Sequence, residues 1–225
     1  MELKAIFWDN DGVLVDTERL YFEANAKVLE PFAIELSREQ YRQHWLVNSR
    51  GLIAIGREAG LSDELIEQLR AGRDAIYVQL ISEKEITIPG VREAIEALPK
   101  GLRSGIVTSS KPEHFDVIHR RTGLLPLFEF AITPADYNNS KPDPEPYLLA
   151  LSRTGLRPEE CLVIEDSERG LAAALGAGIR CWIIPSELNA GADFAGADRI
   201  LSRIDDVPQL IRGLFPFFGS SPELT

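Results

Sequence analysis

Short apolar runs rich in β-branched residues recur along this chain, and stretches with helical periodicity separate most of them. The runs cover residues 3–9, 102–108, 128–133, 161–166 and 181–185, with a weaker run at 199–201. Continuous apolar runs are typical of strands that are covered on both faces, as in a parallel sheet. Amphipathic segments between them include residues 91–98, 114–122 and 146–153. The alternation predicts an α/β fold with a Rossmann-like, doubly wound parallel-sheet core, in which ligands bind at the carboxyl ends of the strands.

The interval between the first and second runs is too long for a simple crossover connection. From about residue 17 to residue 85 the sequence shows only helical periodicity. One apolar face is formed by Phe22, Ala26 and Leu29, and another by Leu65, Leu69 and Ile76. We therefore predict an α/β core made of residues 1–16 and 86–225, with a helical cap inserted as residues 17–85.

Composition limits the partners that the chain can have. It contains 24 Lys and Arg against 35 Asp and Glu among 225 residues, a formal net charge of −11. A chain with this charge repels nucleic acids and anionic membranes as a whole, so neither is an expected partner. The sequence predicts neither a signal peptide nor a membrane-spanning segment, and it contains only two cysteines. These features predict a cytoplasmic protein, and a monomer is favoured although the sequence does not determine the oligomeric state.

Two carboxylates follow the first apolar run directly. Asp9 and Asp11 have one residue between them, and Gly12 then allows the chain to turn. Carboxylates held close together repel, so an arrangement that keeps both ionised favours a nearby cation. Oxygen ligands on a loop suit Mg²⁺, which takes few protein ligands. Taken alone, the pair is equally compatible with a turn or a helix cap.

Three later runs also deliver polar residues to the same predicted edge of the sheet. Thr108 and Ser109 end the second run, Lys141 lies in a proline-containing loop after the third, and Glu165 and Asp166 end the fourth. Each of these alone could be a cap or a solvated charge. Together they predict one site at the carboxyl ends of the strands.

The residues of this predicted site suit phosphoryl transfer through a covalent aspartyl phosphate. A carboxylate nucleophile such as Asp9 divides one difficult displacement into two easier steps. Charge on the transferring group requires donors and cations around it, which a hydroxyl, a lysine and Mg²⁺ supply. Asp11 could protonate the leaving oxygen and then deprotonate the attacking water. Asp166, with Glu165 as a possible helper, would anchor the metal.

The motifs at residues 9–13, 108, 140–142 and 165–166, in this order, resemble those of the haloacid dehalogenase superfamily of aspartate-nucleophile hydrolases, in the branch with a helical cap after the first strand. The resemblance implies that Asp9 is the nucleophile, Asp11 the general acid and base, and Thr108 and Lys141 the phosphoryl-binding groups. It also implies that Asp9, the backbone carbonyl of Asp11 and Asp166 hold Mg²⁺. The dehalogenases generally lack the second aspartate, so Asp11 argues against carbon–halogen cleavage.

Within that superfamily the sequence is most similar to the β-phosphoglucomutase-like branch and its sugar-phosphate phosphatases. Ser49 and Arg50 resemble a Ser-Arg pair whose arginine grips the distal phosphate in the mutase. Arg73 falls near a mutase lysine, and Tyr21 stands where the mutase has a histidine. Arg50, Arg73, Ser109 and Thr17 are accordingly the expected substrate-binding residues, with Thr17 in the segment that leads from the core into the cap.

The sequence therefore predicts a Mg²⁺-dependent phosphatase acting on a small phosphorylated metabolite, either a sugar phosphate or a sugar-acid phosphate. A β-phosphoglucomutase-type mutase is the alternative, and the change to Tyr21 argues against it. A phosphoaccepting module without catalytic activity is more remote, because it would not need the long helical insertion. An apolar cluster at residues 214–218 is expected to pack on the core or to contact a second subunit.

Overall fold

Helices and strands alternate along the chain, and each predicted apolar run contains a strand. The computed structural model describes residues 2–48, 50–189 and 191–214. The strands are β1 (Ala5–Trp8), β2 (Arg103–Val107), β3 (Phe130–Ile132), β4 (Cys161–Glu165), β5 (Arg180–Ile183) and β6 (Arg199–Ile200). The helices are α1 (Glu18–Leu29), α2 (Arg38–Tyr41), α3 (Gly51–Glu58), α4 (Asp63–Glu83), α5 (Val91–Glu96), α6 (Pro112–Thr122), α7 (Glu145–Thr154), α8 (Glu168–Gly176) and α9 (Asp206–Leu214).

The strands form one parallel sheet in the order β3-β2-β1-β4-β5-β6. β1 lies at its centre, where Trp8 pairs with Ile106 of β2 on one side and with Ile164 of β4 on the other. The chain builds outward from β1 first to β3 and then, in the opposite direction, from β4 to β6. The predicted α/β doubly wound fold is confirmed, and the change of direction falls between β1 and β4, where such sheets bind ligands.

Helices cover both faces of the sheet, which is why its strands are apolar on both sides. Ile6 and Trp8 of β1 belong to one buried cluster, with Ile106 and Ile164. The intervening residue Phe7 belongs to a second cluster on the other face. Burying a side chain of this size stabilises the fold by about 1.5–3 kcal/mol. Both faces of β1 are therefore buried, as is typical of a strand at the centre of a covered parallel sheet.

A helical insert, α1 to α4, stands between β1 and α5, as the periodicity predicted. Its long helices α1 and α4 pack against each other over a separate apolar cluster that includes Leu29, Tyr41 and Leu69. Ser62 begins α4 by accepting a hydrogen bond from the Leu65 amide, a typical N-cap. A short π-helical segment, Arg42–Val47, follows α2. Such segments occur frequently at functional sites.

The chain enters and leaves this insert at adjacent points. The amide of Asp16 donates to the carbonyl of Ile86 at 2.9 Å, and Val15 forms a bridge with Thr87. These contacts join the two connections side by side, which suits a hinge between the core and the insert. The division into a core of residues 1–16 and 86–225 and a cap of residues 17–85 stays a prediction.

The remaining features concern membranes and the end of the chain. Among the described residues, no helix has the length and apolar character needed to cross a bilayer.

Trp8 and Trp182 are buried in the core, as is typical of tryptophans in strands. Of the apolar cluster at 214–218, Leu214 is exposed at the end of α9, and residues 215–218 lie outside the described residues.

Candidate active site

The polar residues that follow β1, β2 and β4 meet at one edge of the sheet. Asp9 follows β1, Thr108 follows β2, and Asp166 follows β4. Gly12 turns the chain with a φ of +88°, a region that favours glycine. A Cβ atom at this position would overlap the Asp166 carboxyl group. Glycine at residue 12 therefore lets the loop after β1 lie directly against the loop after β4.

Lys141 connects the groups that these strands deliver. Its Nζ atom donates to Oδ1 of Asp9 at 2.6 Å, to Oε1 of Glu165 at 2.7 Å and to the carbonyl of Val107 at 2.8 Å. The side chain is only 3% exposed. Burial alone would lower the pKa of Lys141, but the charges of Asp9 and Glu165 raise it above its ordinary value. Lys141 is therefore a buried cation with three fixed acceptors.

Glu165 is held beneath Lys141 by hydrogen bonds to both of its carboxylate oxygens. Oε1 also accepts from the Tyr147 hydroxyl at 2.9 Å, and Oε2 accepts from Ser167 and from the Asp166 amide, each at 3.1 Å. Gly170 on α8 passes so close that any Cβ there would collide with the carboxylate. The orientation of Glu165 is thus set by groups from three elements.

Asp9, Glu165 and Asp166 form a buried group of three carboxylates, and one oxygen from each lies within 4.8 Å of one oxygen from the others. Burial raises the pKa of Asp9 to about 8, and the neighbouring Glu165 charge adds to this effect. Burial raises the pKa of Asp166 well above its ordinary value, and the charges of Asp9 and Glu165 add to this effect. Lys141 offsets only one of the three negative charges. A divalent cation fits here, because it would neutralise the remainder and because its preferred ligands are carboxylate oxygens.

Asp11 is turned away from this group and is held by other donors. Thr17 at the start of the insert donates to Oδ1 of Asp11. Asn10 donates to Oδ2 at 3.2 Å, and the Thr108 hydroxyl lies 3.5 Å from the same oxygen. Asp11 and Asp9 therefore stand in different surroundings although one residue separates them. The side chains of Thr17 and Thr108, two expected site residues, meet at Asp11.

A cavity of about 570 Å³ lies above these groups, between the sheet edge and the helical insert. Its floor includes Asp9, Asp11 and Lys141, and its wall on the insert includes Tyr41 and Trp45. Ser109 also lines it, with a buried hydroxyl that has no hydrogen-bond partner among the described residues. The cavity is large enough for a phosphorylated metabolite of small size.

The two expected cap arginines differ in their surroundings. Arg50 is exposed and lines the cavity at the start of α3. Arg73 also borders the cavity but is 5% exposed. Its guanidinium group binds Asp74 at 2.7 Å and Asn25 at 3.3 Å, and it stacks on the Tyr21 ring at 4.6 Å. Arg73 is thus largely engaged by the insert itself, whereas Arg50 is open to a bound molecule.

Several residues of the site carry no signal in the sequence. Asn189 donates to Oδ2 of Asp166 at 2.9 Å, and Tyr147 binds Glu165 as described. Glu18 lines the cavity and accepts a hydrogen bond from Tyr41, whose ring stacks on Trp45 at 5.1 Å. Burial raises the pKa of Glu18 to about 7. Glu18 directly follows Thr17, which the sequence had selected as a site residue.

Comparison with known proteins agrees with this geometry. A family model described as haloacid dehalogenase-like hydrolase matches residues 3–178. The chain is 36% identical over 211 residues to Protein CbbY of Rhodobacter capsulatus, covering 88% of this chain and 92% of that protein. It is 34% identical over 195 residues to the phosphorylated carbohydrates phosphatase of Thermotoga maritima, covering 84% and 88% respectively.

A solved structure is similar in both fold and sequence. It is an Asp-to-Asn mutant of CbbY from Rhodobacter sphaeroides in complex with xylulose-(1,5)bisphosphate. The two chains superpose with a TM-score of 0.78 at 28% identity, over 91% of this chain and 96% of that one. The comparison thus extends over the helical insert as well as the sheet.

Proposed function

The chain belongs to the haloacid dehalogenase-like hydrolases, and from this premise we propose that it is a Mg²⁺-dependent phosphatase that hydrolyses a small phosphorylated sugar or sugar acid. The observation that carries the proposal is the contact of Lys141 with Asp9 at the floor of the cavity, 2.6 Å between Nζ and Oδ1. A buried carboxylate beside a fixed cation is suited to receive a phosphoryl group, because the cation offsets the charge on both.

Asp9 is the nucleophile in the proposed reaction. One of its carboxylate oxygens forms a bond to phosphorus, and the bond from phosphorus to the substrate oxygen breaks. Asp11 gives its proton to that departing oxygen, so that the sugar leaves as a neutral alcohol. Water then transfers a proton to Asp11 and attacks phosphorus, which releases inorganic phosphate and restores Asp9.

The other floor residues bind and orient the phosphoryl group. Lys141 binds its oxygens, and Glu165 holds Lys141 in place through the 2.7 Å contact. Ser109 follows β2 and offers a hydroxyl to the cavity, whereas Thr108 is fully buried and reaches the site through its contact with Asp11. These groups place positive charge and donors where negative charge develops in the transition state.

The metal would be held by Asp9, Asp166 and the backbone carbonyl of Asp11. When bound, Mg²⁺ supplies the positive charge that lets the carboxylates and the phosphoryl oxygens approach one another. Glu165 belongs to the same group of carboxylates. We assign it to Lys141, however, because hydrogen bonds already occupy both of its oxygens.

Support for a phosphorylated sugar as substrate comes from the cavity and from the relatives. The buried aromatic rings of Tyr41 and Trp45 lie along the cavity, and Arg50 presents a cation that can bind a second anionic group. The Thermotoga maritima relative is named as a phosphatase of phosphorylated carbohydrates, and the CbbY relative holds a sugar bisphosphate. A sugar phosphate with a second charged group is the substrate class that suits these features.

The test is phosphate release from a panel of sugar phosphates, sugar bisphosphates and sugar-acid phosphates, with Mg²⁺ and after thorough chelation. We expect turnover of at least one sugar ester, lost on chelation and restored by Mg²⁺. Turnover that survives chelation would remove the metal from the proposal.

Two further outcomes would each contradict phosphatase activity. Conversion of glucose 1-phosphate into glucose 6-phosphate in the presence of a bisphosphate, without free phosphate, would indicate a mutase. A stable acyl phosphate with no turnover would indicate a phosphoaccepting module.

A further inference from the structure

A chain of hydrogen bonds leads from the core helix α6 to the Asp11 carboxyl group. His119 of α6 lies with Nε2 2.9 Å from Oδ1 of Asn10, and Nδ2 of Asn10 lies 3.2 Å from Oδ2 of Asp11. His119 is 4% exposed and Asn10 is fully buried. These two hydrogen bonds therefore reach Asp11 from inside the core, on the side away from the cavity.

The chemistry of these groups fixes the direction of each bond. The amide nitrogen of Asn10 faces Asp11 and can only donate, so Oδ2 of Asp11 is the acceptor of this bond. The amide oxygen of Asn10 then faces His119, and an amide oxygen also only accepts. Nε2 of His119 must therefore carry a proton.

The protonation state of His119 follows from its other nitrogen. Nδ1 of His119 is buried and has no hydrogen-bond partner among the described residues. A proton at that atom would leave a buried donor unsatisfied, which is costly. A neutral His119 with its proton on Nε2 donates to Asn10 and leaves no buried N–H group without an acceptor on its ring.

The consequence for Asp11 is a fixed orientation. Thr17 binds Oδ1 of Asp11 from the insert, and Asn10 binds Oδ2 from the core. With a donor on each oxygen, rotation of the carboxyl group about its terminal bond is opposed from both sides. A general acid must stand within hydrogen-bond reach of the oxygen that it protonates, so this orientation matters to its efficiency.

From this geometry we infer that His119 is a positioning residue, which acts through Asn10 to hold Asp11 in the orientation needed to protonate the leaving group. The inference rests on the proposed phosphatase function. A buried histidine can also serve only to fill the core. The ring centroids of His119 and Phe115 do lie 4.2 Å apart, as in core packing. The two roles differ in what they predict for leaving groups.

The experiment compares two esters in His119→Leu and His119→Gln. The first ester is the sugar phosphate that is cleaved fastest in the panel, and its alcohol needs a proton in order to leave. The second is p-nitrophenyl phosphate, whose phenolate leaves without one. The quantity measured is kcat/KM, which covers the steps up to release of the alcohol.

For His119→Leu we expect kcat/KM to fall about 10-fold on the sugar phosphate and less than about 2-fold on the aryl ester, because only the first depends on the acid. His119→Gln keeps an amide donor near the position of Nε2 and should recover most of the loss. Asn10→Leu should reproduce the leaving-group dependence, and the double variant should be no worse than either single one.

Phe115→Leu is the control for a purely structural effect, because it alters the neighbouring buried side chain on α6 and removes neither hydrogen bond of Asn10. It should lower the melting temperature and leave the ratio of the two kcat/KM values unchanged. An unchanged ratio in His119→Leu, with both esters still hydrolysed, would overturn the role of His119 and leave the phosphatase function standing. Absence of any turnover by the unaltered protein would overturn both.

A second measurement is independent of turnover. Nitrogen-15 NMR of histidine-labelled protein at pH 7.5 should show His119 neutral, with the proton on Nε2 and a bare Nδ1. A signal from the Nδ1–H tautomer or from the charged ring would contradict the hydrogen-bond chain. Asn10→Leu serves to assign the signal, because removing the acceptor must shift the Nε2 proton.

Discussion

The Nζ atom of Lys141 lies 2.6 Å from Oδ1 of Asp9, although the two residues are 132 positions apart in the chain. The contact exists because β1 and the loop after β3 end at the same edge of a parallel sheet. Glu165 holds the other side of the ammonium group at 2.7 Å. The nucleophilic carboxylate, its cation and the support for that cation are therefore one buried unit.

Replacing the nucleophile should abolish turnover and leave the fold intact. We expect Asp9→Asn to lower kcat by at least about 10⁴-fold, because the amide cannot form the phosphoryl intermediate. Steady-state kinetics and circular dichroism check the two parts. Asp16→Asn is the matched control, since that half-buried acid pairs only with Arg19 at 2.6 Å in the described structure. Undiminished phosphate release by Asp9→Asn would remove this residue from the mechanism.

Breaking the buried ion pair should cost stability as well as activity. Lys141→Met leaves Asp9 and Glu165 without their cation, which typically destabilises a fold by about 3–5 kcal/mol. Adding Glu165→Met removes one of the stranded charges and should recover part of that stability, while activity stays lost. Urea unfolding of the two variants measures the difference. A double variant less stable than Lys141→Met would contradict this account.

For activity, the close approach of Gly12 to the Asp166 carboxyl group should be more important than the positive φ of Gly12. Gly12→Ala places a Cβ against the Asp166 carboxyl group, whereas Gly101, at the nearly equal φ of +89°, has open space around it. Both variants should lose about 1 kcal/mol or more from the positive φ. Only Gly12→Ala should also lose most of its kcat and bind Mg²⁺ more weakly. Equal kcat values for the two variants would mean that the Asp166 contact is unimportant.

Acid should destabilise the protein partly through His119. Burial lowers the pKa of His119 to about 4, from an ordinary value of 6.5. The unfolded chain therefore binds a proton between these values and the folded chain does not, so the contribution is complete above pH 6.5 and is lost as the pH falls toward 4. Between pH 7.5 and pH 5 the loss is roughly 2 kcal/mol.

Urea unfolding at the two pH values, with His119→Gln as the reference, isolates this contribution from that of the carboxylates. The variant should lose less stability than the unaltered protein over the same interval. The same pH dependence in both proteins would show that His119 does not titrate in this way.

Arg50 should govern binding more than chemistry. It lines the cavity from the insert and is exposed, so Arg50→Ala should raise KM for a substrate with a second anionic group by about 10-fold and change kcat little. Arg57→Ala is the control, because that arginine is exposed on α3 and pairs with Asp63 at 3.1 Å. Equal KM values for the two variants would exclude Arg50 from substrate binding.

The sequence by itself determined the sheet, the insert and the approximate place of the site. Each strand was predicted, because an apolar run with β-branched residues is favourable only where both faces are covered. The polar residues at the ends of these runs were predicted to meet because parallel strands bring their carboxyl ends to one edge. Asp9, Lys141, Glu165 and Asp166 lie together for this reason.

Only the tertiary structure decided how each side chain is oriented and what it binds. It turned Asp11 toward Thr17 and Asn10, engaged Arg73 with Asp74, and brought His119 to the back of the site. These choices depend on contacts between residues that are distant in the chain. A local pattern specifies which face of a strand or helix is buried, but the partner of a buried polar atom is set by the element that packs against it.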